Sequence, residues 1–213
     1  MKKNGMFITF EGVEGSGKTT QIKLLKKKLE SEGYKILLTR EPGGTIISEK
    51  IREILLDPEN NEMASLTELL LYYASRSQHL YEKIKIAKNK GEIVLCDRFS
   101  DSTLAYQGYG RGLDKEIIKQ LTKIVEQGNS PDLTILIDID PEIGLVRAKK
   151  VSENEEGDRL EQEKMGFHKK VWNGYREIAK ENQKRVVIID GNMSIEELGN
   201  KIKKEVKQRL EKG

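Results

Sequence analysis

Gly12-Val13-Glu14-Gly15-Ser16-Gly17-Lys18-Thr19 follows the pattern G-x-x-x-x-G-K-[ST], and its surroundings decide the fold as much as its letters do. Before it, the apolar run Met6-Phe7-Ile8-Thr9-Phe10 predicts a buried strand. After it, Ile22, Leu25 and Leu29 recur at helical spacing up to a stop at Gly33. Strand, glycine loop and helix in this order aim several backbone N–H groups and the positive end of a helix at one point, where a polyphosphate fits. Gly12, Val13, Glu14, Gly15, Ser16, Gly17, Lys18, Thr19 and Thr20 are therefore the expected contacts of an ATP-like ligand. Lys18 reaches for the β- and γ-phosphates, and the Thr19 hydroxyl is an expected ligand of Mg²⁺.

The rest of the chain bounds what surrounds that loop. At 213 residues it is long enough for one large α/β domain with a full core, or for a domain with a small insertion. Acidic and basic residues are interspersed, the net charge is +3, and the pI of 8.7 lies below the usual footprint of a nucleic-acid binder, so no nucleic-acid partner is expected. Lys26-Lys27-Lys28 lies on the polar side of the first helix and reads as a solvated face. Cys96, the single cysteine, sits inside an apolar run; it excludes an internal disulfide, argues against a zinc site, and reads as a small core residue. Met1-Lys2-Lys3 does not open a signal peptide, because the apolar run after it is short and ends at Glu11. Nowhere do about 18 apolar residues follow one another, so no membrane span and a cytoplasmic setting are expected.

Further strands are predicted at Ile36-Leu37-Leu38-Thr39, Ile93-Val94-Leu95-Cys96, Leu133 to Ile137 and Val186-Val187-Ile188-Ile189. None alternates cleanly, as expected of strands covered on both faces. Helical stretches lie between them at 46–56, 64–90, 114–127, 141–150, 162–182 and 194–211. This alternation implies a five-stranded parallel α/β sheet with helices on both faces and ligands at the carboxyl ends of its strands. The polar segment Lys149 to Gly157 reads as a mobile surface loop where a lid would sit, giving one domain over 1–213 with a lid at about 147–162.

Several constellations lie on that carboxyl edge. Asp97-Arg98 ends the third strand: the carboxylate is placed to hold a metal's water or orient Lys18, and the arginine fork matches a phosphate. Arg40-Glu41-Pro42-Gly43-Gly44-Thr45 ends the second strand, and its diglycine permits close approach of backbone to a ligand. Arg52, one or two turns later, is within reach of the same pocket. Tyr72 and Arg76 are four apart on one helix face, a ring to stack on a base and a guanidinium to read its edge. Ser102, Thr103, Tyr106 and Gln107 add hydroxyls and an amide. Asn89-Lys90-Gly91-Glu92 looks like a guanine-reading motif but precedes a strand and ends in Glu, so it reads as a helix stop. His79 and Trp172 have no matching partner in the sequence and read as structural.

Taken together, Thr39-Arg40-Glu41-Pro42-Gly43-Gly44-Thr45, Asp97-Arg98-Phe99, Ala105-Tyr106-Gln107-Gly108 and Asp158-Arg159-Leu160-Glu161 resemble the thymidylate kinase family of the P-loop nucleoside monophosphate kinase superfamily. The similarity runs essentially end to end. It implies transfer of the γ-phosphoryl of Mg²⁺-ATP to dTMP, a three-layer P-loop kinase fold with a closing lid, and a homodimer. By position, Glu14 takes the deoxyribose 3′-hydroxyl and Arg98 the dTMP phosphate, assisted by Arg40 or Arg52. Tyr72 stands over thymine, Arg76 reads the base, and Thr103, Tyr106 and Gln107 line the sugar and base pocket beside Glu41 and Pro42. Thr19 and Asp97 form the expected metal site.

The acceptor in such a reaction is already a phosphate oxygen, so positioning and charge neutralisation do most of the work. The interior of the phosphate loop, Val13-Glu14-Gly15-Ser16, carries no arginine, so the resemblance implies a catalytic cation from the lid. Arg147, Lys149, Lys150 and Arg159 are the candidates beside Lys18 and Arg98. Two other functions fit part of the pattern: a deoxynucleoside kinase with Glu41 as general base, and a non-catalytic ATP-dependent switch.

Overall fold

The computed structural model describes residues 5–151 and 157–212. Each predicted strand forms and runs one residue past its apolar stretch. The strands are β1 (Phe7–Glu11), β2 (Ile36–Arg40), β3 (Ile93–Asp97), β4 (Leu133–Asp138) and β5 (Val186–Asp190). The extra residue is charged every time. Pairings such as Arg40 with Asp97 and Asp138 with Asp190 carry the ladder one step further than hydrophobicity alone marks. The carboxyl edge of the sheet is therefore a row of ionisable side chains.

The helices are α1 (Lys18–Ser31), α2 (Ile46–Leu56), α3 (Ser65–His79), α4 (Lys85–Asn89), α5 (Ser100–Thr103), α6 (Lys115–Glu126), α7 (Pro141–Val151), α8 (Met165–Glu181) and α9 (Ile195–Lys212). The stretch expected as one helix over 64–90 is α3 and α4 joined by a π-helical turn, Leu80–Ile84. A second such turn, Leu104–Gly110, extends α5 and was not foreseen. Asn89 closes α4, and Gly91 at φ 77° turns the chain into β3, so the Asn-Lys-Gly-Glu sequence is a helix stop. The polar segment at 149 begins as helix, since α7 runs through Val151; the expected lid residues 152–156 lie outside the described residues.

All five strands are parallel in the order β2-β3-β1-β4-β5. From the central β1 the chain goes to β2 and β3 on one side and later to β4 and β5 on the other. The carboxyl end of β1, where the glycine loop starts, is thus the switch point at which ligands bind. One face of the sheet, with Ile8, Phe10, Leu95 and Ile135, packs against Ile22, Leu25 and Leu29 of α1 and Ile202 and Val206 of α9. On the other face Phe7, Val94 and Cys96 meet Leu80 and Ile84, while Leu136 meets Val171 and Ile178 of α8. Coverage on both faces holds for the three inner strands only: the edge strands leave Leu38 36% and Ile188 47% exposed. Cys96 is fully buried in β3.

Candidate active site

A cleft of about 1680 Å³ runs along the carboxyl edge, lined by the glycine loop, the ends of β2 and β3, α3, the second π turn and α7. Gly12, Gly15 and Gly17 all take positive φ, which lets the loop curl around the first turn of α1. Lys18 Nζ lies inside that curl, donating to the carbonyls of Gly12 (3.1 Å) and Val13 (2.8 Å) and to Ser16 Oγ (3.2 Å). Burial, with help from the nearby Arg98 charge, brings its pKa down to about 8. Thr19 Oγ1 donates to Asp97 Oδ2 at 3.0 Å. Glu14 through Thr20 line the cleft, whereas the Val13 side chain is buried away from it.

Arg98 meets the same loop from the other side. Its backbone is held at φ 67°, and its amide donates to the Phe10 carbonyl. Nη1 donates to the Gly12 carbonyl (3.0 Å), Tyr175 Oη (3.0 Å) and Ser102 Oγ (3.3 Å), and Nη2 to Glu14 Oε1 (2.5 Å). Two cations, Lys18 and Arg98, thus converge on one carbonyl oxygen. Burial opposes the Arg98 charge, but Glu14 and its neighbours outweigh it and the guanidinium stays firmly protonated. Burial likewise pushes the Glu14 carboxyl up; Arg98 and Lys18 prevail and hold it below its ordinary value. Tyr106 donates its hydroxyl to Glu14 at 3.1 Å, and its ring lies under the Arg98 guanidinium.

Behind this group stands Glu11, which sequence reasoning passed over. Its oxygens accept from the Phe99 amide (2.8 Å), Ser102 Oγ (2.5 Å) and Tyr175 Oη (3.2 Å). Burial, then the charge of Asp101, pushes its pKa up to about 7. A charged residue directly after an apolar strand was a visible signal for Glu11; nothing in the sequence links it to Tyr175.

At the other end of the cleft, Tyr72, Thr103 and Gln107 line the wall with Arg76, which is 1% exposed and no surface arginine. Glu41 also lines it, but Oε2 accepts Arg76 Nε (2.7 Å) and Oε1 faces His79 Nδ1 (2.9 Å). With both oxygens engaged, Glu41 is not placed to act as a general base. Gln107 donates to Glu68 at 2.8 Å. Arg40, more than half exposed, pairs with Glu49, and Arg52 donates to the Pro42 carbonyl. The diglycine serves the protein itself: a Cβ on Gly43 would meet the Glu49 carboxylate and one on Gly44 the His79 ring. His79 and Trp172 do have partners, Glu41 with Thr39 for the first and Asp138 for the second.

The lid candidates separate. Arg147 and Lys150 line the cleft, and Arg147 Nη1 donates to the Gly191 carbonyl at 2.9 Å. Lys149 does not line it. Arg159 turns away, its Nε on the Leu55 carbonyl (2.8 Å) and its Nη2 in ion-pair contact with buried Glu68 (2.6 Å) without the alignment of a hydrogen bond. Helix α7 reaches the loop through a contact between glycines. A Cβ on Gly15 would stand 1.9 Å from the Gly144 oxygen, and one on Gly144 2.3 Å from the Glu14 oxygen. Asp158 and Glu161 add two carboxyls to the cleft wall.

Comparison with known proteins identifies the family. Residues 10–202 match the family model described as thymidylate kinase. The chain is 51% identical to the thymidylate kinase of Pelobacter propionicus over 96% of its own length and 94% of that protein. It is 48% identical to that of Halothermothrix orenii over 95% and 97%. Its fold is similar to the crystal structure of thymidylate kinase from Ehrlichia chaffeensis, with a TM-score of 0.78 and 39% identity, covering 96% of this chain and 99% of that one. The similarity takes in the whole cleft and not the glycine loop alone: this chain belongs to the thymidylate kinase family.

Proposed function

We propose that the chain transfers the γ-phosphoryl group of ATP to dTMP, giving dTDP for dTTP synthesis. One observation carries this reading: Lys18 and Arg98 share the Gly12 carbonyl oxygen, so a donor-phosphate cation and an acceptor-phosphate cation stand side by side in one cleft. Bringing two polyanions together and neutralising their charge is most of what phosphoryl transfer asks of a protein. In this reading Lys18 and the loop amides hold the β- and γ-phosphates, and Arg98 holds the dTMP phosphate with Arg40 and Arg52 at the rim. Glu14 and Tyr106 take the sugar, Tyr72 covers the base, and Arg76, Thr103 and Gln107 complete its pocket. Of the lid cations, Arg147 and Lys150 face the cleft and are the ones we assign to the transferring group.

Thr19 and Asp97 offer oxygen ligands 3.0 Å apart, a donor set that suits a hard cation such as Mg²⁺ bound mainly through substrate phosphates. Thr19 and Asp97 would hold the ion, which would supply positive charge to offset that of the donor phosphates. No helix among the described residues is long and apolar enough to cross a membrane, and we place the enzyme in the cytoplasm. A homodimer is supported by an exposed apolar stripe on α3, Leu66, Leu70 and, past its end, Tyr81, and by Ile117 and Ile124, exposed on α6, which packs against α3 through Leu69, Tyr73 and Ile118. The whole chain acts as one domain, with a lid at about 147–162, of which residues 152–156 lie outside the described residues.

A coupled ADP-release assay with ATP and Mg²⁺, offering dTMP, dUMP, dCMP, dGMP, AMP and thymidine in parallel, tests this. Turnover with dTMP well above the others supports it. Turnover with thymidine but not dTMP would make the chain a nucleoside kinase, and none with any acceptor would make it a switch.

A further inference from the structure

Between β2 and α3 runs a line of buried side chains that contacts neither the phosphate loop nor Arg98. Thr39, Glu41, Arg76 and His79 are each under a tenth exposed. Thr39 Oγ1 lies 2.6 Å from His79 Nε2, and His79 Nδ1 lies 2.9 Å from Glu41 Oε1. Glu41 Oε2 accepts Arg76 Nε at 2.7 Å, and Arg76 Nη2 donates to Thr103 Oγ1 at 2.9 Å.

Donor and acceptor roles fix the direction of this line at Glu41. Paired with a guanidinium, the Glu41 carboxylate only accepts, so His79 Nδ1 carries the proton that meets it. Nε2 meets the Thr39 hydroxyl, which can either donate or accept, so both ring nitrogens are engaged. Gly44 closes the far end. At φ +90° it lies so near that a Cβ would stand 2.6 Å from His79 Nε2 and 2.8 Å from Thr39 Oγ1, which leaves the ring no room to swing that way. At the near end Arg76 keeps one arm in reserve: Nη1 is buried and has no hydrogen-bond partner, on a residue that lines the cleft. A guanidinium nitrogen can only donate, so an acceptor oxygen is what completes it.

We infer that His79, acting through Glu41, is a positioning residue for the acceptor base: Thr39, His79 and Glu41 hold Arg76 in the orientation in which Nη1 meets a carbonyl oxygen of the pyrimidine and turns away an amino group. This rests on the assignment of Arg76 to the base made above. Without His79, Glu41 Oε1 loses its partner, and the carboxylate that orients the guanidinium is held on one side only. Base selection loosens, while the phosphate-handling groups at Gly12 and Lys18 are left in place.

The test is steady-state kinetics with saturating Mg²⁺-ATP, resolving kcat and KM for dTMP and for dCMP, alongside thermal melts. Four variants are compared with the parent: His79→Leu, His79→Asn, Thr39→Val and Arg76→Ala. Loss of one buried hydrogen bond predicts that His79→Leu raises KM for dTMP about tenfold and lowers the dTMP-over-dCMP ratio of kcat/KM by a similar factor, with kcat within about twofold. His79→Asn, whose amide N–H stands near the place of Nδ1–H, recovers most of the ratio. Thr39→Val, which removes only the outermost hydroxyl, costs about two- to threefold and carries the test if His79→Leu does not fold. An unchanged ratio in His79→Asn, Thr39→Val and any folded His79→Leu, or a fall in kcat shared by both acceptors and tracking a lowered Tm, overturns the positioning role. Arg76→Ala separates the two levels: a ratio kept there overturns the base assignment of Arg76 itself, whereas a ratio lost there and kept in the His79 variants overturns only the relay.

Discussion

Arg98 does two jobs with one side chain, closing the loop on Gly12 and offering a planar fork to an anion. A charged hydrogen bond lost from such a site costs about 1.5–3 kcal/mol, so Arg98→Ala is expected to lower kcat/KM for dTMP roughly 10- to 100-fold. Initial rates with dTMP varied, then ATP varied, check that the loss falls chiefly on dTMP. Arg98→Lys should recover little, because an ammonium lacks the fork. Glu11 makes a different prediction. Its folded pKa, about 7, lies above the ordinary carboxyl value of 4.5, so the folded state holds this proton more tightly than the unfolded chain. The folded protein therefore bears no cost from Glu11 below pH 4.5 and loses stability as pH rises through 7, by on the order of 3 kcal/mol. Lys18, lowered to about 8, acts with the opposite sign and only at higher pH. The difference in Tm between parent and Glu11→Gln across about pH 4–8 isolates the carboxyl; a flat difference would refute the assignment. Lys18, Thr19 and Arg98 were legible because their motifs are contiguous. The Tyr175 hydroxyl was not, since it reaches Glu11 across 164 positions of sequence and nothing local marks it.

At the scale of elements, hydrophobic runs and helical spacing found the strands and most helices, yet stopped each strand short of its charged last residue. Ladder pairing, which a single strand does not display, carries each one on. The same limit hid the contact between Gly15 of the glycine loop and Gly144, which seats α7 on that loop. A methyl on Gly144 meets a backbone oxygen that cannot rotate away. Gly144→Ala is thus expected to cost about 1–3 kcal/mol and to raise KM for ATP, readable from a melt and an ATP titration. Arg147 and Lys150, three apart, share one helix face and point to the cleft, while Arg159 is spent on Glu68. Arg147→Ala should therefore lower kcat with Tm nearly intact. Arg159→Ala should do the reverse, losing about 2–4 kcal/mol of stability with kcat within a few-fold, because it leaves buried Glu68 undercompensated. Equal kcat losses in both would return Arg159 to the chemistry.

At the scale of the whole molecule, the alternation of strands and helices was enough to foresee a parallel three-layer fold, since crossover handedness leaves few alternatives. Association was not visible in the same way. The stripe Leu66, Leu70 and Tyr81 reads in sequence as ordinary helix periodicity, and only the fold reveals that this side of α3 faces outward. Burying it in a dimer predicts a sedimentation mass near twice 24.3 kDa. Leu70→Asp, which plants a charge in the middle of the stripe, should return the monomer mass; a monomeric parent would remove the dimer.

The lone thiol of Cys96 has a practical use. It sits in an inner strand with no surface exposure, and burial together with nearby carboxylates raises its pKa well above that of a free thiol. A thiolate reagent therefore finds nothing to react with until the sheet opens, and the chain carries no second sulfhydryl to confuse the signal. The labelling rate becomes an intrinsic clock for opening events, slowed by any ligand in proportion to how tightly the closed form holds it. Nucleotide, acceptor and the variants above can then be ranked on one unmodified polypeptide by mass spectrometry, with no dye or tag attached.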